Sequence, residues 1–126
     1  MYQVKTMNKI AKIGLSQLDD RFQVADEVAN EDAILVRSAK LHDYDFPASL
    51  QCIARAGAGV NNIPIDKCTE QGIVVFNTPG ANANSVMELA LCGMLLACRD
   101  IVGGINWVQS VKESPDVANL VEKGKS

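Results

Sequence analysis

The sequence CIARAGAGVNN, residues 52–62, passes from a short apolar run directly into Ala-Gly-Ala-Gly. Such a juncture is typical of a β-strand that turns sharply toward a helix. Other runs rich in β-branched residues flank it, and most are nearly continuous in apolar residues, as expected when both faces of a parallel sheet are covered. The predicted strands are residues 10–15, 22–25, 33–38, 51–56 and 73–78.

Short helices are predicted between the later strands. One covers residues 46–50, and a second covers 63–72, where Pro64 suits a first turn and Gly72 suits a C-terminal cap. With right-handed crossovers, this order of elements predicts an α/β fold with a flavodoxin-like, doubly wound parallel sheet. The segment 16–32 has room for a strand but hardly for a full crossover helix.

A longer helix is predicted in NSVMELALCGMLLACRD, residues 84–100. Ser85 and Glu88 have the spacing of a capping box, with Ser85 as the N-cap. The following residues are apolar on every side, so we expect the helix to be buried in a larger core or against another domain or subunit. It is shorter than the roughly 20 residues that a bilayer requires, which argues against a membrane span. The sequence thus divides into a sheet domain, 1–83, and a helical part, 84–126, whose second helix covers 100–113.

Composition excludes some classes of partner. Twelve basic and fifteen acidic residues give a net charge of −3, without a basic cluster that would favour nucleic acid. The N-terminus lacks the apolar core of a signal peptide, so a cytoplasmic protein is expected. The cysteines form no Cys-x-x-Cys pair, which favours reduced thiols in the core over disulfides or a metal site. They are Cys52, Cys68, Cys92 and Cys98.

The glycine-rich turn does not fit the dinucleotide fingerprint. G-x-G-x-x-G requires a third glycine where this chain has Asn62, and the next strand ends in Asn77 rather than in an acidic residue. Two interpretations remain open. Small residues can avoid a clash in a tight strand-to-helix turn, or consecutive backbone N–H groups can cradle an anion such as a carboxylate.

Polar residues follow the strands on either side of that turn. Arg37 and Ser38 end one strand, and Asn82 and Asn84 follow the last strand, just ahead of a helix N-terminus. Arg37 by itself is typical of a solvated charge, although its guanidinium also suits phosphate or carboxylate. Because the carboxyl ends of parallel strands meet at one edge of a sheet, where such folds bind ligands, the pattern predicts an anion site there.

Three motifs resemble one family, the D-isomer-specific 2-hydroxyacid dehydrogenases. They are VRSAK (36–40), ARAGAGVNNIPID (54–66) and GIVVFNTPGANANSVMELAL (72–91), within a similarity that covers roughly residues 33 to 112. The likeness is to the substrate-binding half, and most closely to the D-3-phosphoglycerate dehydrogenases of serine biosynthesis. It implies oxidation of the C2 hydroxyl of 3-phosphoglycerate, with hydride passing to NAD.

The resemblance also implies roles for individual residues. Arg37 and Ser38 hold the substrate phosphate, and the turn Ala56, Gly57, Ala58 and Gly59 offers N–H groups to the substrate carboxylate. Asn82 faces the substrate, while Ala58 and Val86 lie near NAD. The long helix links to a nucleotide-binding domain and forms part of a homodimer contact.

Some features of the family are missing or altered. The resemblance places the catalytic His, Glu and Arg beyond residue 126, so the 126-residue chain is expected to be inactive alone. The single histidine, His42, is predicted to be a surface residue. Asn61 stands where the family usually has Asp, and the segment 16–32 is shorter than its usual counterpart, so one wall of the substrate cleft is expected to differ. Two alternatives stay open: another D-2-hydroxyacid dehydrogenase, or a non-enzymatic corepressor that senses NAD.

Overall fold

The computed structural model describes residues 1–124, which form five strands and five helices. In chain order these are β1 (Tyr2–Met7), α1 (Lys12–Leu15), β2 (Phe22–Ala25), β3 (Ala33–Val36), β4 (Cys52–Arg55), α2 (Ile65–Glu70), β5 (Val74–Phe76), α3 (Ala83–Cys98), α4 (Ile101–Val111) and α5 (Val117–Lys123). They belong to two compact units, one of residues Met1–Asn82 and one that begins at Ala83.

The first unit contains a single parallel sheet with strand order β2-β1-β3-β4-β5. This order confirms the predicted flavodoxin-like, doubly wound sheet, and the weak strand predicted at 22–25 is β2. The register pairs Val36 with Arg55, so β3 and β4 end side by side. The loops that follow these two strands are therefore neighbours at the carboxyl edge.

The prediction of the first strand was wrong. Residues 10–15 contain the short helix α1, and the strand lies at Tyr2–Met7 instead. Val4 and Thr6 alternate as buried residues in β1, whereas Ile13 in the predicted segment is 78% exposed. The alternation of buried and less buried residues identifies β1 as the strand, because one face of a sheet strand is covered by the core. The apolar residues at 12–15 have no such cover, since none of them is buried.

The core lies on one face of the sheet. Residues 39–50 and α2 cover this face. The buried side chains of the core are Ile34, Val36, Leu41, Leu50, Ile53, Ile63, Cys68 and Ile73. The helix predicted at 46–50 is wrong: a single turn closes there, with Leu50 N–H donating to the Pro47 carbonyl. The helix predicted at 63–72 exists as the shorter α2, and Gly72 follows it at φ +71°, as its capping position requires.

A series of partly buried hydrogen bonds joins β1 to the segment that covers the core. Lys5 Nζ donates to the Tyr44 hydroxyl at 3.0 Å, and that hydroxyl donates to the buried carboxylate of Glu31. The hydrogen bond with Tyr44 raises the pKa of Lys5, while burial and the Glu31 contact raise the pKa of Tyr44. The buried carboxylate of Glu31 thus has a hydrogen-bond partner, as burial demands.

The second unit consists of α3, α4 and α5. The N-cap prediction for Ser85 was wrong, because α3 begins at Ala83 and encloses it; Asn84 Nδ2 donates to Glu88 instead. The helix predicted at 100–113 is α4, and Asp100 caps it by accepting from Gly103 N–H. Within residues 1–124, no helix combines the length and hydropathy needed to span a membrane.

The apolar side chains of α3 and α4 are exposed. Leu89 is 73% exposed and Leu95 66%, and none of the described residues in α3, α4 or α5 is buried. The expected burial of α3 by another surface therefore stays a prediction. Of the cysteines, Cys68 is buried, which raises the pKa of its thiol, and Cys52 is half-buried. The core placement predicted for Cys92 and Cys98 was wrong, since both are exposed on α3.

Candidate functional site at the carboxyl edge of the sheet

The Ala56–Gly59 turn is fixed by the ends of the two strands beside it. Ala56 N–H donates to the Val36 carbonyl at 2.8 Å, which joins the turn to β3. On the other side, Thr78 N–H donates to the Gly57 carbonyl at 3.0 Å, and Asn77 Nδ2 donates to the Ala58 carbonyl at 2.7 Å. The Gly57 N–H also donates, to the Arg55 carbonyl at 2.9 Å, so the first two amides of the turn are used within the protein.

Two amides of the turn are unpaired. The N–H groups of Ala58 and Gly59 have no acceptor among residues 1–124, and both residues are exposed. Neighbouring N–H groups without acceptors attract an anion, because each is a hydrogen-bond donor with a partial positive charge. The turn therefore has the chemistry of the predicted carboxylate cradle.

Arg55, the last residue of β4, lies along the turn. Its Nε donates to the Arg37 carbonyl at 3.1 Å. A Cβ added to Gly57 would come within 2.8 Å of Arg55 Nη1, so glycine leaves the space that the guanidinium occupies. The structure thus supports the clash-avoiding interpretation of Gly57, and the free amides of Ala58 and Gly59 keep the cradle interpretation open.

The sequence analysis missed Arg55, although the signal that identified Arg37 applies to it equally. Each arginine stands where a strand meets a turn at the carboxyl edge. Val36 pairs with Arg55, so Arg37 lies one position beyond this pair, just after the end of β3.

Arg37 and Ser38 follow β3 in an exposed loop. The Arg37 guanidinium has no hydrogen-bond acceptor or carboxylate partner in the part of the chain that the structure describes. The backbone of the loop is held by one side chain, since Asn8 Oδ1 accepts hydrogen bonds from the N–H groups of Arg37, Ser38 and Ala39. The loop backbone is therefore held in place, while the Arg37 guanidinium has no partner among the described residues.

A cavity of about 650 Å³ opens beside this edge of the sheet. Its lining carries two cations, Lys40 and Arg55, and neither forms an ion pair with a described residue. Arg37 is not part of the lining. The lining residues are Ser38, Lys40, His42, Asp43, Arg55, Asn61 and Asn62.

Asn62 is the buried member of this lining, at 7% exposed. Its Nδ2 donates to the Ala39 carbonyl at 2.8 Å, but its Oδ1 is buried without a partner among the described residues. An unpaired buried acceptor costs about 1–3 kcal/mol. The two cations of the lining therefore suit a ligand with an anionic group, whereas Asn62 Oδ1 is enclosed by the protein.

The other residues of interest lie outside the cavity lining. Asn82, the last residue of the first unit, is exposed, and its side chain makes no hydrogen bond with a described residue. Val86 belongs to α3 of the second unit and is 56% exposed. His42 is exposed, as expected, and borders the cavity. Nowhere in the described range do three His, Cys, Asp or Glu side chains group as metal ligands.

Comparison with known protein families gives a match over almost the whole chain. Residues 2–121 match the family described as "D-isomer specific 2-hydroxyacid dehydrogenase, catalytic domain". The match contains β1 to α4 and every residue of the edge described above.

Individual relatives agree with this match. The chain is 46% identical over 83 residues to a hydroxypyruvate reductase of Thermotoga maritima, covering 64% of the chain and 26% of the relative. It is 41% identical over 106 residues to a D-3-phosphoglycerate dehydrogenase of Synechocystis sp., covering 82% of the chain and 18% of the relative. The chain thus spans about a quarter or less of these relatives.

A solved structure agrees as well. The NAD⁺-bound 3-phosphoglycerate dehydrogenase of Entamoeba histolytica superimposes with a TM-score of 0.60 at 26% identity, covering 75% of this chain and 38% of that one.

Proposed function

Because the chain belongs to the D-isomer-specific 2-hydroxyacid dehydrogenase family, we propose that it is the substrate-binding part of an NAD-dependent D-3-phosphoglycerate dehydrogenase. The reaction is oxidation of 3-phosphoglycerate to 3-phosphohydroxypyruvate. One observation carries the proposal: Arg37, Lys40 and Arg55 gather at the carboxyl edge of the sheet without a carboxylate partner among residues 1–124. Such a set of cations suits a substrate that carries two anionic groups.

The phosphate is assigned to the cationic side of the edge. Arg37 offers a planar fork that matches phosphate oxygens, and Ser38 adds a hydroxyl beside it. Lys40 and Arg55 add positive charge from the cavity wall. These groups distinguish a phosphorylated substrate from an unphosphorylated one.

The rest of the substrate is assigned to the turn and to Asn82. The free N–H groups of Ala58 and Gly59, within the turn of Ala56 to Gly59, receive the carboxylate. Asn82 also faces the substrate in this proposal.

The cofactor contacts proposed for this chain are Ala58 and Val86. Both fit a nicotinamide cofactor, since Ala58 has an unpaired amide and Val86 exposes an apolar side chain. When bound, NAD accepts the hydride that leaves C2. His42 borders the cavity but has no Glu partner in the described residues, so we propose that the chain alone binds the substrate without turnover.

We assign the exposed apolar helices to assembly. A homodimer or a higher homo-oligomer forms through residues 84–112, which contain α3 and α4. The support is the exposure of large apolar side chains along both helices, since contiguous exposed apolar surface marks interaction sites.

The Thermotoga maritima relative favours a second candidate, a dehydrogenase acting on an unphosphorylated substrate. Its name refers to hydroxypyruvate, and its identity of 46% exceeds the 41% of the Synechocystis relative. On this alternative the cations at the edge receive a carboxylate, and a phosphate adds little affinity.

Titration of the 126-residue chain with 3-phosphoglycerate, D-glycerate and hydroxypyruvate tests both candidates. We expect 3-phosphoglycerate to bind at least about tenfold more tightly than D-glycerate, because a charge-assisted hydrogen bond to phosphate contributes about 1.5–3 kcal/mol. Arg37→Ala should remove most of this difference and leave the D-glycerate affinity unchanged. Calorimetry or amide NMR shifts give the dissociation constants.

Arg21→Ala is the matched control, because Arg21 is an exposed arginine that pairs with Asp19. It should bind all three ligands as the wild type does. Equal affinities for 3-phosphoglycerate and D-glycerate would contradict the phosphate assignment and favour the second candidate. An equal loss of both ligands in Arg37→Ala would instead indicate a structural role for that arginine.

A further inference from the structure

Asn8 makes an unusual set of contacts between two strands. It follows β1 directly, and its backbone adopts φ +75°, the left-handed region. Its Oδ1 accepts hydrogen bonds from three consecutive N–H groups: those of Arg37 at 3.4 Å, Ser38 at 2.9 Å and Ala39 at 2.8 Å. One side-chain oxygen therefore binds the backbone of the whole loop after β3.

The contact between Asn8 and the loop after β3 lies at the edge of the sheet where a ligand is expected. β1 and β3 are neighbours, and the sheet order reverses between them, which is where ligands bind in sheets of this kind. β3 ends at Val36, so the N–H groups of the next three residues have left the sheet. Asn8 supplies the acceptor that they would otherwise lack.

The residue type meets two requirements at once. Asparagine tolerates the left-handed region better than most other residues with a side chain. Glycine would keep φ +75° without strain but has no acceptor. Aspartate would keep the acceptor but would place a negative charge at the backbone of Arg37 and Ser38.

We propose that Asn8 is a positioning residue, which sets the loop of Arg37, Ser38 and Ala39 so that the Arg37 guanidinium and the Ser38 hydroxyl converge on a phosphate group. The inference rests on the proposed function of that edge. Asn8 acts through the loop backbone and has no contact with the substrate of its own.

The variant Asn8→Gly tests this role, because it removes the acceptor and preserves the backbone conformation. Its matched control is Asn30→Gly: Asn30 is also exposed, adopts φ +57°, and its side chain makes no hydrogen bond with residues 1–124. Two quantities are measured on the 126-residue chain: amide hydrogen exchange at residues 37–39, and affinity for 3-phosphoglycerate and for inorganic phosphate.

We expect Asn8→Gly to speed exchange at Ser38 and Ala39 by about tenfold, the equivalent of one typical hydrogen bond. Affinity for both phosphate ligands should fall by about the same factor, while Asn30→Gly changes neither quantity. Asn8→Asp should restore slow exchange but not affinity, since its carboxylate repels phosphate. A merely structural residue would not separate these two readouts.

Unchanged exchange in Asn8→Gly would overturn the inference, and so would faster exchange with wild-type affinity. A wild-type chain that binds neither phosphate ligand would defeat the proposed function instead. The exchange rates would then decide by themselves whether Asn8 holds the loop.

Discussion

The two units of this protein are both rich in apolar residues, but they differ in what covers those residues. Every buried apolar side chain in the described structure belongs to the first unit, and the core of β3, β4 and α2 includes Ile34 and Ile53 at 0% exposure. In the second unit, α3 has Leu and Met side chains on all sides, and none of its described residues is buried. Apolar sequence thus indicates that a surface needs covering, without identifying what covers it.

The difference has an energetic consequence for each unit. Burial of a large aliphatic side chain contributes about 1.5–3 kcal/mol, and the first unit obtains this contribution from its own segments. The exposed side chains of α3 and α4 contribute little until another surface covers them. We therefore expect substitutions in the first unit to change folding, and substitutions on the exposed helices to change association.

The largest effect is expected from Ile53→Ala. Ile53 is fully buried in the centre of the core, so truncation removes apolar contacts and leaves a cavity. The free energy of unfolding should fall by about 2–5 kcal/mol. Urea denaturation followed by far-UV circular dichroism measures this change.

Leu89→Ala on α3 is the matched control, because Leu89 is 73% exposed. It should change the free energy of unfolding by less than about 0.5 kcal/mol at low protein concentration. Similar losses for the two variants would mean that α3 is already covered, and the contrast between the units would then fail.

The contrast also explains which parts of the fold could be predicted. Near-continuous apolar runs identified β3, β4 and β5, although the structure covers these strands mainly on one face: Val74 and Phe76 of β5 are 52% and 56% exposed. β1 was missed because only Val4 and Thr6 are buried in it, and Lys5 occupies a partly buried position that the distant Tyr44 stabilises. A contact across 39 residues leaves no local signal in the sequence.

The residues of the candidate site also divide into those that the sequence could predict and those that it could not. Arg37, Ser38 and the Ala56–Gly59 turn follow strand ends, so their gathering at one edge could be predicted from the parallel order. Arg55 had the same signal and was overlooked. The contacts of Asn8 and Asn62 depend on loops that meet only in the folded chain, at separations of 29 to 31 residues and 23 residues respectively.

An intermediate effect is expected on self-association. Leu95 is 66% exposed on α3, so Leu95→Glu places a charge on the surface that the proposed dimer covers. Loss of its burial, worth about 1.5–3 kcal/mol, should raise the dimer dissociation constant by at least about tenfold. Sedimentation velocity over a series of concentrations measures that constant.

The control is Ile13→Glu in α1 of the first unit. Ile13 is 78% exposed, so the change adds the same charge to an equally exposed apolar residue outside the proposed interface. Its dissociation constant should equal that of the wild type. A wild-type chain that stays monomeric at high concentration would refute the assignment of α3 and α4 to assembly.

The smallest effect is expected from alanine at two glycines that have open space around them. A Cβ at Gly72 or at Gly93 would meet no atom within 4 Å, so packing does not distinguish them. Gly72 lies at φ +71°, where alanine costs about 1–2 kcal/mol, whereas Gly93 is inside α3, where alanine stabilises the helix by about 0.5–1 kcal/mol. Urea denaturation of dilute samples should therefore show changes of opposite sign. If a second copy packs closely against Gly93, an added methyl group would clash with it, and Gly93→Ala should also weaken association. A gain in stability at every protein concentration would instead place the interface on another face of α3.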